Sequence, residues 1–204
     1  MQTRIIAAEQ WNAGLPVLRR GGLVGIPTDT VYGLAAMPLN AAAIDRIYEA
    51  KGRPADKAIP MLVSKLSHAL RIAEISEPTR RLCDRLWPGA LTVVALARLS
   101  FPSPAVASDG TVALRMPGLP LARLLIESAG GVLAVTSANR SGELPAQSAA
   151  EVVSQLDGRV ELVLDGGPSP GGVASTIVRV RGKDVEVLRE GAIPKSAINA
   201  AIRG

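Results

Sequence analysis

Apolar positions along this chain follow two kinds of pattern, which alternate from one end to the other. Helical spacing is found at residues 7–20 and 41–50, and a glycine follows each segment within two positions. Short apolar runs at residues 23–26, 90–96 and 132–135 instead predict buried strands. The alternation predicts helices packed on a sheet.

The remaining elements follow from the same patterns. Helices are predicted at residues 65–73, 78–86, 120–128, 148–156 and 194–202, and strands at residues 60–63, 111–115, 161–164, 175–180 and 184–189. The last two strands are expected to pair as a hairpin. Because αβ units are mixed with adjacent strands, we predict an α/β (α+β) fold with a mixed sheet. Composition does not shift sharply along residues 1–204, which predicts one domain.

Composition narrows the class of protein. Although 48% of residues are hydrophobic, charged residues, glycine or proline interrupt every apolar run. No run approaches the roughly 20 residues that a membrane span needs. The first six residues also lack the apolar core of a signal peptide. We therefore expect a cytoplasmic protein without a membrane partner.

Single copies of two reactive residue types exclude several chemistries. Cys83 is the only cysteine and His68 the only histidine, so an internal disulfide, a paired-thiol metal site and a two-histidine zinc helix are all ruled out. No Ser-His-Asp or Cys-His arrangement is expected either. The net charge of +5 predicts anionic partners. Two Trp, two Tyr and one Phe are too few for a base-stacking RNA platform.

Three cations follow the predicted helix 41–50. Lys51, Arg53 and Lys57 lie on a segment that Gly52 and Pro54 prevent from continuing as helix. One interpretation is that Lys51 and Arg53 only complement the negative end of the helix dipole. The other is that the loop binds an anionic ligand. Position alone favours neither.

Two polar loops come directly after predicted strands, where ligand contacts of open α/β sheets lie. Residues 28–34 read TDTVYGL, and residues 136–142 read TSANRSG. A turn capped by its own Thr and Asp side chains would explain the first loop equally well. Arg115 ends another strand, and needs either an internal carboxylate or an anionic ligand as partner. Asp29 is the nearest candidate for a general base.

Nucleotide binding by a standard motif is excluded. No two glycines are separated by one residue, and no pair of glycines at P-loop spacing is followed by Lys-Ser or Lys-Thr. The residues present instead suggest a cleft with positive charge and neutral donors and acceptors, which would stabilise phosphoryl charge without a covalent nucleophile. Its candidates are Lys51, Arg53, Arg115, Arg189, Thr28, Thr30, Ser137, Asn139 and Ser141.

Six blocks together carry a resemblance to a known family. They read GLVGIPTDTVYGL at 22–34, AKGRP at 50–54, LWPGALT at 86–92, VALRMP at 112–117, TSANRSG at 136–142 and STI at 175–177. In this order they resemble the YrdC-like family, over residues 7–193. Ala58-Ile59 and Glu190-Gly191 depart from the family pattern and put only local loop shape in doubt.

The resemblance implies a fold, an activity and partners. The family fold is a twisted mixed sheet that encloses a positively charged cavity, here in the short form without an additional C-terminal domain. The activity implied is L-threonylcarbamoyladenylate synthase, a nucleotidyltransferase that converts L-threonine, bicarbonate or CO2, and ATP into threonylcarbamoyl-AMP and pyrophosphate. Mg2+ is expected on the phosphates. A downstream enzyme would then transfer the threonylcarbamoyl group to the tRNA adenosine beside the anticodon.

The resemblance also implies roles for individual residues. Thr30, Arg115 and Ser175 correspond to threonine contacts. The ATP side corresponds to Lys51, Arg53, Lys57, Thr111, Ser137, Asn139, Ser141 and Arg189, with Lys51 and Arg53 expected to be catalytic. The alternative from another class is a non-catalytic module for ribosome maturation that holds double-stranded RNA or tRNA in the same basic cavity.

Overall fold

The structure, a computed structural model, describes residues 2–54, 57–182 and 184–203. Its strands are β1 (Arg4–Ala7), β2 (Val24–Ile26), β3 (Gly33–Ala36), β4 (Met61–Val63), β5 (Ala73–Glu74), β6 (Leu91–Ala97), β7 (Thr111–Arg115), β8 (Val132–Ser137), β9 (Leu162–Asp165), β10 (Thr176–Arg181) and β11 (Asp184–Arg189). Its α-helices are α1 (Gly14–Arg19), α2 (Ala41–Lys51), α3 (Leu66–Ile72), α4 (Glu77–Leu86), α5 (Pro120–Ser128), α6 (Ala149–Leu156) and α7 (Lys195–Arg203). A 3-10 helix, Ala8–Ala13, precedes α1.

All the strands belong to one mixed sheet, as the sequence predicts. Its order is β1-β9-β2-β3-β8-β4-β7-β6-β10-β11, with β5 paired to β6. Strand β9 pairs in parallel with β1 and β2, and the pairs β4/β7 and β6/β10 are also parallel. The other pairs are antiparallel. Strands distant in the chain therefore become neighbours at the centre of the sheet.

Capping residues fix where several helices begin and end. The side chains of Asn40, Ser76 and Ser148 each accept a hydrogen bond from the backbone N–H three residues on, at the starts of α2, α4 and α6. Gly52 ends α2 in the left-handed region, at φ 59°. The chain leaves α2 there at the cationic loop. Ala55 and Asp56 of that loop lie outside the described residues.

The predicted elements are present, with three additions. Strands β1, β3 and β5 are not predicted by the pattern, and the segment predicted as one helix, 7–20, is divided between the 3-10 helix and α1. Strand β3 is hard to predict because three of its four residues are glycine or alanine, which carry little strand propensity. A Cβ at Gly33 would lie 2.6 Å from Val135 Cγ1, so a glycine fits where β3 meets β8. The predicted hairpin is β10/β11, and Lys183 of its turn lies outside the described residues.

The core lies between the sheet and the helices. Its larger cluster includes Tyr32, Leu34, Ile44 and Ile47, which bring α2 against the sheet. Cys83 is buried in the same cluster, as expected for a small apolar side chain. Over the described residues, every helix is too short or too polar to cross a bilayer.

Candidate active site

A cavity of about 390 Å³ lies over the middle of the sheet. Side chains from β8, β4, β7, β6 and β10, which are consecutive in the sheet, line it together with the loops that follow β2, α2 and β9. Its size falls within the range of small-molecule sites. Among the described lining residues there are three arginines, Arg53, Arg115 and Arg189, and no carboxylate. The cavity is therefore suited to an anionic ligand.

Arg115 is held by three different partners. Its Nη2 lies 2.7 Å from Asp29 Oδ1, its Nη1 donates to Thr30 Oγ1 at 2.7 Å, and its Nε donates to the Gly89 carbonyl at 2.9 Å. Burial lowers the pKa of Arg115, and the Asp29 carboxylate opposes this shift. Since a guanidinium has five N–H donors, two remain for a ligand. The sequence left two partners open for Arg115, an internal carboxylate and an anionic ligand. The structure provides the carboxylate, Asp29, and leaves two N–H donors for an anion.

Asp29 serves Arg115 and the backbone. Its Oδ1 also accepts from the Gly118 N–H at 2.7 Å, which fixes the loop after β7. A Cβ at Gly118 would lie 3.0 Å from Asp29 Cγ. The Asp29 carboxylate is thus engaged by Arg115 and by the Gly118 N–H, and its role as a general base stays a prediction.

The contacts of Thr28 and Thr30 agree with both interpretations of residues 28–34, a capped turn and a ligand-binding loop. Thr28 Oγ1 donates to the Val31 carbonyl and accepts from the Thr30 N–H, as in a capped turn. Both residues also line the cavity, and Thr30 Oγ1 contacts Arg115. The turn therefore orients the hydroxyl that accompanies the arginine.

Arg53 and Arg189 complete the positive charge. Arg53 donates from Nε to the Lys57 carbonyl and from Nη2 to the Ala58 carbonyl, at 3.1 and 2.9 Å. Arg189 Nη2 lies 2.7 Å from the carbonyl oxygen of Ser175 and 3.2 Å from its Oγ. Burial lowers the pKa of Arg189, and the charges of Arg115 and Arg53 lower it further. Arg189 is thus repelled by the two other guanidinium groups, and a bound anion would relieve this repulsion.

The position of Lys51 differs from the one expected for a residue that contacts phosphate. It is 3% exposed and does not line the cavity. Its Nζ donates to the carbonyl oxygens of Ser137 and Asn139, at 2.5 and 2.6 Å, and approaches Asn139 Oδ1 at 3.4 Å. Burial, followed by the charge of Arg53, lowers its pKa to about 8. Its three protons are directed at protein oxygens, so Lys51 holds the loop after β8.

The other predicted residues divide into two groups. Ser137 and Ser175 line the cavity with Thr30, Arg53, Arg115 and Arg189. Asn139 and Ser141 are not among its lining residues: Asn139 Nδ2 donates to the carbonyls of Arg140 and Glu143, and the Ser141 N–H donates to the Lys51 carbonyl. These bonds make them part of the loop that Lys51 holds.

Lys57 and Thr111 do not line the cavity. Lys57 is exposed, and its carbonyl accepts from Tyr48 and Arg53. Thr111 faces a separate depression of about 700 Å³, and its hydroxyl donates to Asp109. Thr111 shares a face of β7 with Arg115 but lies four positions before it, roughly 13 Å along a strand. Their predicted contacts with ATP stay predictions.

The cavity also contains a residue that was not among the candidates from the sequence. Thr92 of β6 is 2% exposed, and its Oγ1 lies 2.7 Å from Ser175 Oγ. A signal for it was present, because Thr92 lies within the block LWPGALT and interrupts an apolar strand with a hydroxyl. Residues 92 and 94 both face the cavity, as the alternation of a strand requires.

The expected Mg2+ can be compared with the donors that are present. Over residues 2–54, 57–182 and 184–203, no group of three His, Cys, Asp or Glu side chains is placed to hold a metal ion. The carboxylate nearest the arginines, Asp29, is already bound to Arg115. These residues fit a magnesium ion that arrives on the phosphates of a nucleotide better than one held by the protein.

Fold and site together define a class of α/β proteins in which a mixed sheet supports a basic cavity for a small anionic ligand. The model of the Sua5/YciO/YrdC family, described as telomere recombination, matches residues 16–191. The chain belongs to this family, which confirms the resemblance found in the sequence.

Curated relatives and solved structures agree with the family assignment. The chain is 40% identical over 188 residues to the threonylcarbamoyl-AMP synthase of Bacillus subtilis (strain 168), which covers 91% of this chain and 54% of that protein. It is 37% identical over 197 residues to the enzyme of the same name from Pyrococcus abyssi, covering 95% of this chain and 58% of that protein. The chain thus spans a little over half the length of these relatives.

The solved structures show the same fold. Pyrococcus abyssi Sua5 complexed with L-threonine superposes with a TM-score of 0.91 at 35% identity, over 99% of this chain and 60% of that one. Escherichia coli YciO superposes with a TM-score of 0.83 at 24% identity, over 93% and 95% of the two chains. The mixed α/β fold predicted from the sequence is therefore confirmed.

Proposed function

We propose that this protein is an L-threonylcarbamoyladenylate synthase, a nucleotidyltransferase that forms threonylcarbamoyl-AMP and pyrophosphate from L-threonine, bicarbonate or CO2, and ATP. The observation that supports this most directly is the cavity in which Arg53, Arg115 and Arg189 meet without a carboxylate among the described lining residues. Such a cavity suits a ligand set with several negative charges. The substrate in this proposal is taken from the relatives, which are named threonylcarbamoyl-AMP synthase. The Pyrococcus abyssi Sua5 structure was solved as a complex with L-threonine.

The two ends of the cavity suit different parts of the substrates. Arg115, held by Asp29 beside Thr30, has two N–H donors left for the carboxylate of the amino acid. Arg53, Arg189 and Ser137 also line the cavity, and we assign them to the phosphates of ATP. This arrangement gives Arg115 the role of orienting threonine and gives the other two arginines the role of stabilising phosphoryl charge.

The proposed chemical step is an attack of the threonine carbamate on the α-phosphate. A carbamate oxygen forms a bond to the α-phosphorus while the bond from that phosphorus to the β-phosphate oxygen breaks, and pyrophosphate leaves with the electron pair. No net proton transfer is needed once the carbamate is formed. Positioning and electrostatic stabilisation supply the catalysis. Mg2+ enters with ATP as part of the substrate.

The wider role follows from the product. A downstream threonylcarbamoyl-transferase would consume threonylcarbamoyl-AMP and modify tRNA, in the cytoplasm. Lys51 contributes to this function indirectly, because its ammonium orders residues 137–139 at the edge of the cavity. Asn139 and Ser141 act through the same loop.

Purified protein supplied with threonine, bicarbonate, ATP and Mg2+ tests the proposal. We expect pyrophosphate release that depends on threonine and on bicarbonate, with threonylcarbamoyl-AMP detected by mass spectrometry. Omission of each substrate in turn is the control. A folded protein that releases no pyrophosphate in response to threonine would contradict the proposal, and tight binding of double-stranded RNA by the same sample would then favour the RNA-binding alternative.

A further inference from the structure

The hydroxyl groups of Thr92 and Ser175 form a pair at the wall of the cavity. They lie 2.7 Å apart, and either atom has the geometry of a donor. Both residues are buried and both line the cavity, although they are far apart in the chain. The parallel pairing of β6 with β10, which sets Leu91 opposite Thr176, brings them together.

The direction of this hydrogen bond follows from the other partners. Ser175 Oγ also receives an N–H from Arg189 Nη2 at 3.2 Å. For the Thr92 hydroxyl, the hydrogen bond to Ser175 is the one that the described residues provide. In either direction, one of the two hydroxyl protons has no acceptor among the described residues. Ser175 is the more exposed of the pair, at 6% against 2% for Thr92. Because an unsatisfied donor costs less where it can reach the cavity than where it is closed in, donation from Thr92 to Ser175 is favoured.

This direction settles what Ser175 offers to a ligand. A serine hydroxyl has two acceptor positions and one proton. With Arg189 and Thr92 donating to it, both acceptor positions are occupied. Its remaining proton has no acceptor among the described residues and is available to the cavity. Ser175 can therefore act toward a ligand as a donor only.

We propose that Thr92 is a positioning residue, which fixes the proton of Ser175 so that it is donated to an oxygen of the bound amino acid. The proposal rests on the proposed function, since it takes the amino acid as the ligand on this side of the cavity. Thr92 does not need to touch the substrate. Its effect passes through the hydroxyl of Ser175, and Arg189 connects that hydroxyl to the phosphate side.

Thr92→Val, Thr92→Ser and Thr79→Val test the proposal by titration calorimetry with L-threonine and, separately, with a non-hydrolysable ATP analogue. Thr92→Val keeps the shape but removes the donor. We expect it to weaken threonine binding about tenfold, the worth of one hydrogen bond, and to change binding of the analogue by less than twofold. Thr92→Ser should restore threonine binding.

Thr79→Val is the matched control, because it removes a similar hydroxyl pair, Ser76 with Thr79, outside the cavity. It should leave threonine binding unchanged. Wild-type threonine binding by Thr92→Val, an equal loss for both ligands, or failure of Thr92→Ser to restore binding would each overturn the proposal. Absence of threonine binding by the wild-type protein would instead overturn the proposed function and with it this inference.

A second measurement does not depend on threonine. NMR of the ligand-free protein should detect a slowly exchanging hydroxyl proton that correlates with the Thr92 side chain. Its absence in Thr92→Val would support the assignment. A protected proton on Ser175 in place of Thr92 would reverse the direction of the bond and overturn the proposal, whatever the protein's activity.

Discussion

Lys51 Nζ lies 2.6 Å from the carbonyl oxygen of Asn139, and this contact joins the end of helix α2 to the loop after strand β8. The Ser141 N–H returns a bond to the Lys51 carbonyl at 2.8 Å. The two segments are thus tied by both the side chain and the backbone of one residue. The ammonium group is thus linked to the cavity through the carbonyl of Ser137, a residue that lines it, and a direct contact of Lys51 with ATP stays a prediction.

Lys51→Met should loosen the loop after β8 while the three arginines of the cavity keep their positive charge. Loss of the ammonium leaves the carbonyls of Ser137 and Asn139 without their donor, so amide exchange at residues 137–141 should become faster. We expect affinity for the ATP analogue to fall by about tenfold, with a smaller change for threonine. Hydrogen exchange and calorimetry measure the two effects. Unchanged exchange in this loop would show that Lys51 does not order it.

The stability of the protein should depend on pH through the same side chain. The pKa of Lys51 is about 8 in the folded protein, below its ordinary value of 10.5. Between these values the unfolded chain binds more protons than the folded one, so the free energy of unfolding rises with pH. Relative to Lys51→Met, the wild-type protein should gain up to about 3 kcal/mol from pH 8 to 10.5. Denaturant unfolding at several pH values measures the difference, and a constant difference would refute the prediction.

Arg115→Ala should separate the two substrates. Because its guanidinium is buried and aligned by Asp29 and Thr30, its loss should weaken threonine binding at least about 100-fold, as expected for charge-assisted bonds. Binding of the ATP analogue should change far less. Arg115→Lys should fail to restore binding, since an ammonium lacks the planar fork. Arg98→Ala, outside the cavity, is the control, and equal losses for both ligands would mean that Arg115 is wrongly assigned to threonine.

Gly171→Ala should displace the loop that contains Asp29 and Thr30, and so weaken threonine binding. A Cβ at Gly171 would lie 2.6 Å from the Asp29 carbonyl oxygen and 3.2 Å from Thr30 Cα, so backbone would have to move. We expect a lower midpoint of thermal unfolding and weaker threonine binding. Gly14→Ala, whose nearest contact would be 3.6 Å, is the matched control and should change neither by much. Normal threonine binding by Gly171→Ala would indicate that the loop adapts.

The sequence predicts most of the fold because hydrophobic periodicity decides where buried elements lie. It misses β3, since a strand of glycine, leucine and two alanines carries no β-branched residue. The residues chosen from the sequence also include the three arginines that line the cavity, Arg53, Arg115 and Arg189. The sequence does not predict the directions in which these side chains point. Lys51 and Arg53 are two residues apart in the chain, yet only the guanidinium enters the cavity.

Partners within the site are the part that the sequence leaves open. Asp29 is adjacent to Thr30 in the chain, but its pairing with Arg115 depends on how β7 meets the loop after β2. Thr92 meets Ser175 only through the parallel register of β6 and β10. Such pairings are set by long-range packing, which local pattern does not encode.

The order of strands in the sheet has a consequence for how the chain acquires its structure. Strand β1 pairs with β9, where Arg4 lies opposite Leu162. One edge of β6 pairs with β7, and the other edge, apart from the two residues paired with β5, stays uncovered until β10 is present. Contacts between such distant segments form slowly, because a long loop must close before they contribute any stability. During synthesis, the arginines of the cavity cannot be assembled until Arg189 has left the ribosome. Exposed strand edges persist until then, and we expect early folding intermediates to depend on chaperones.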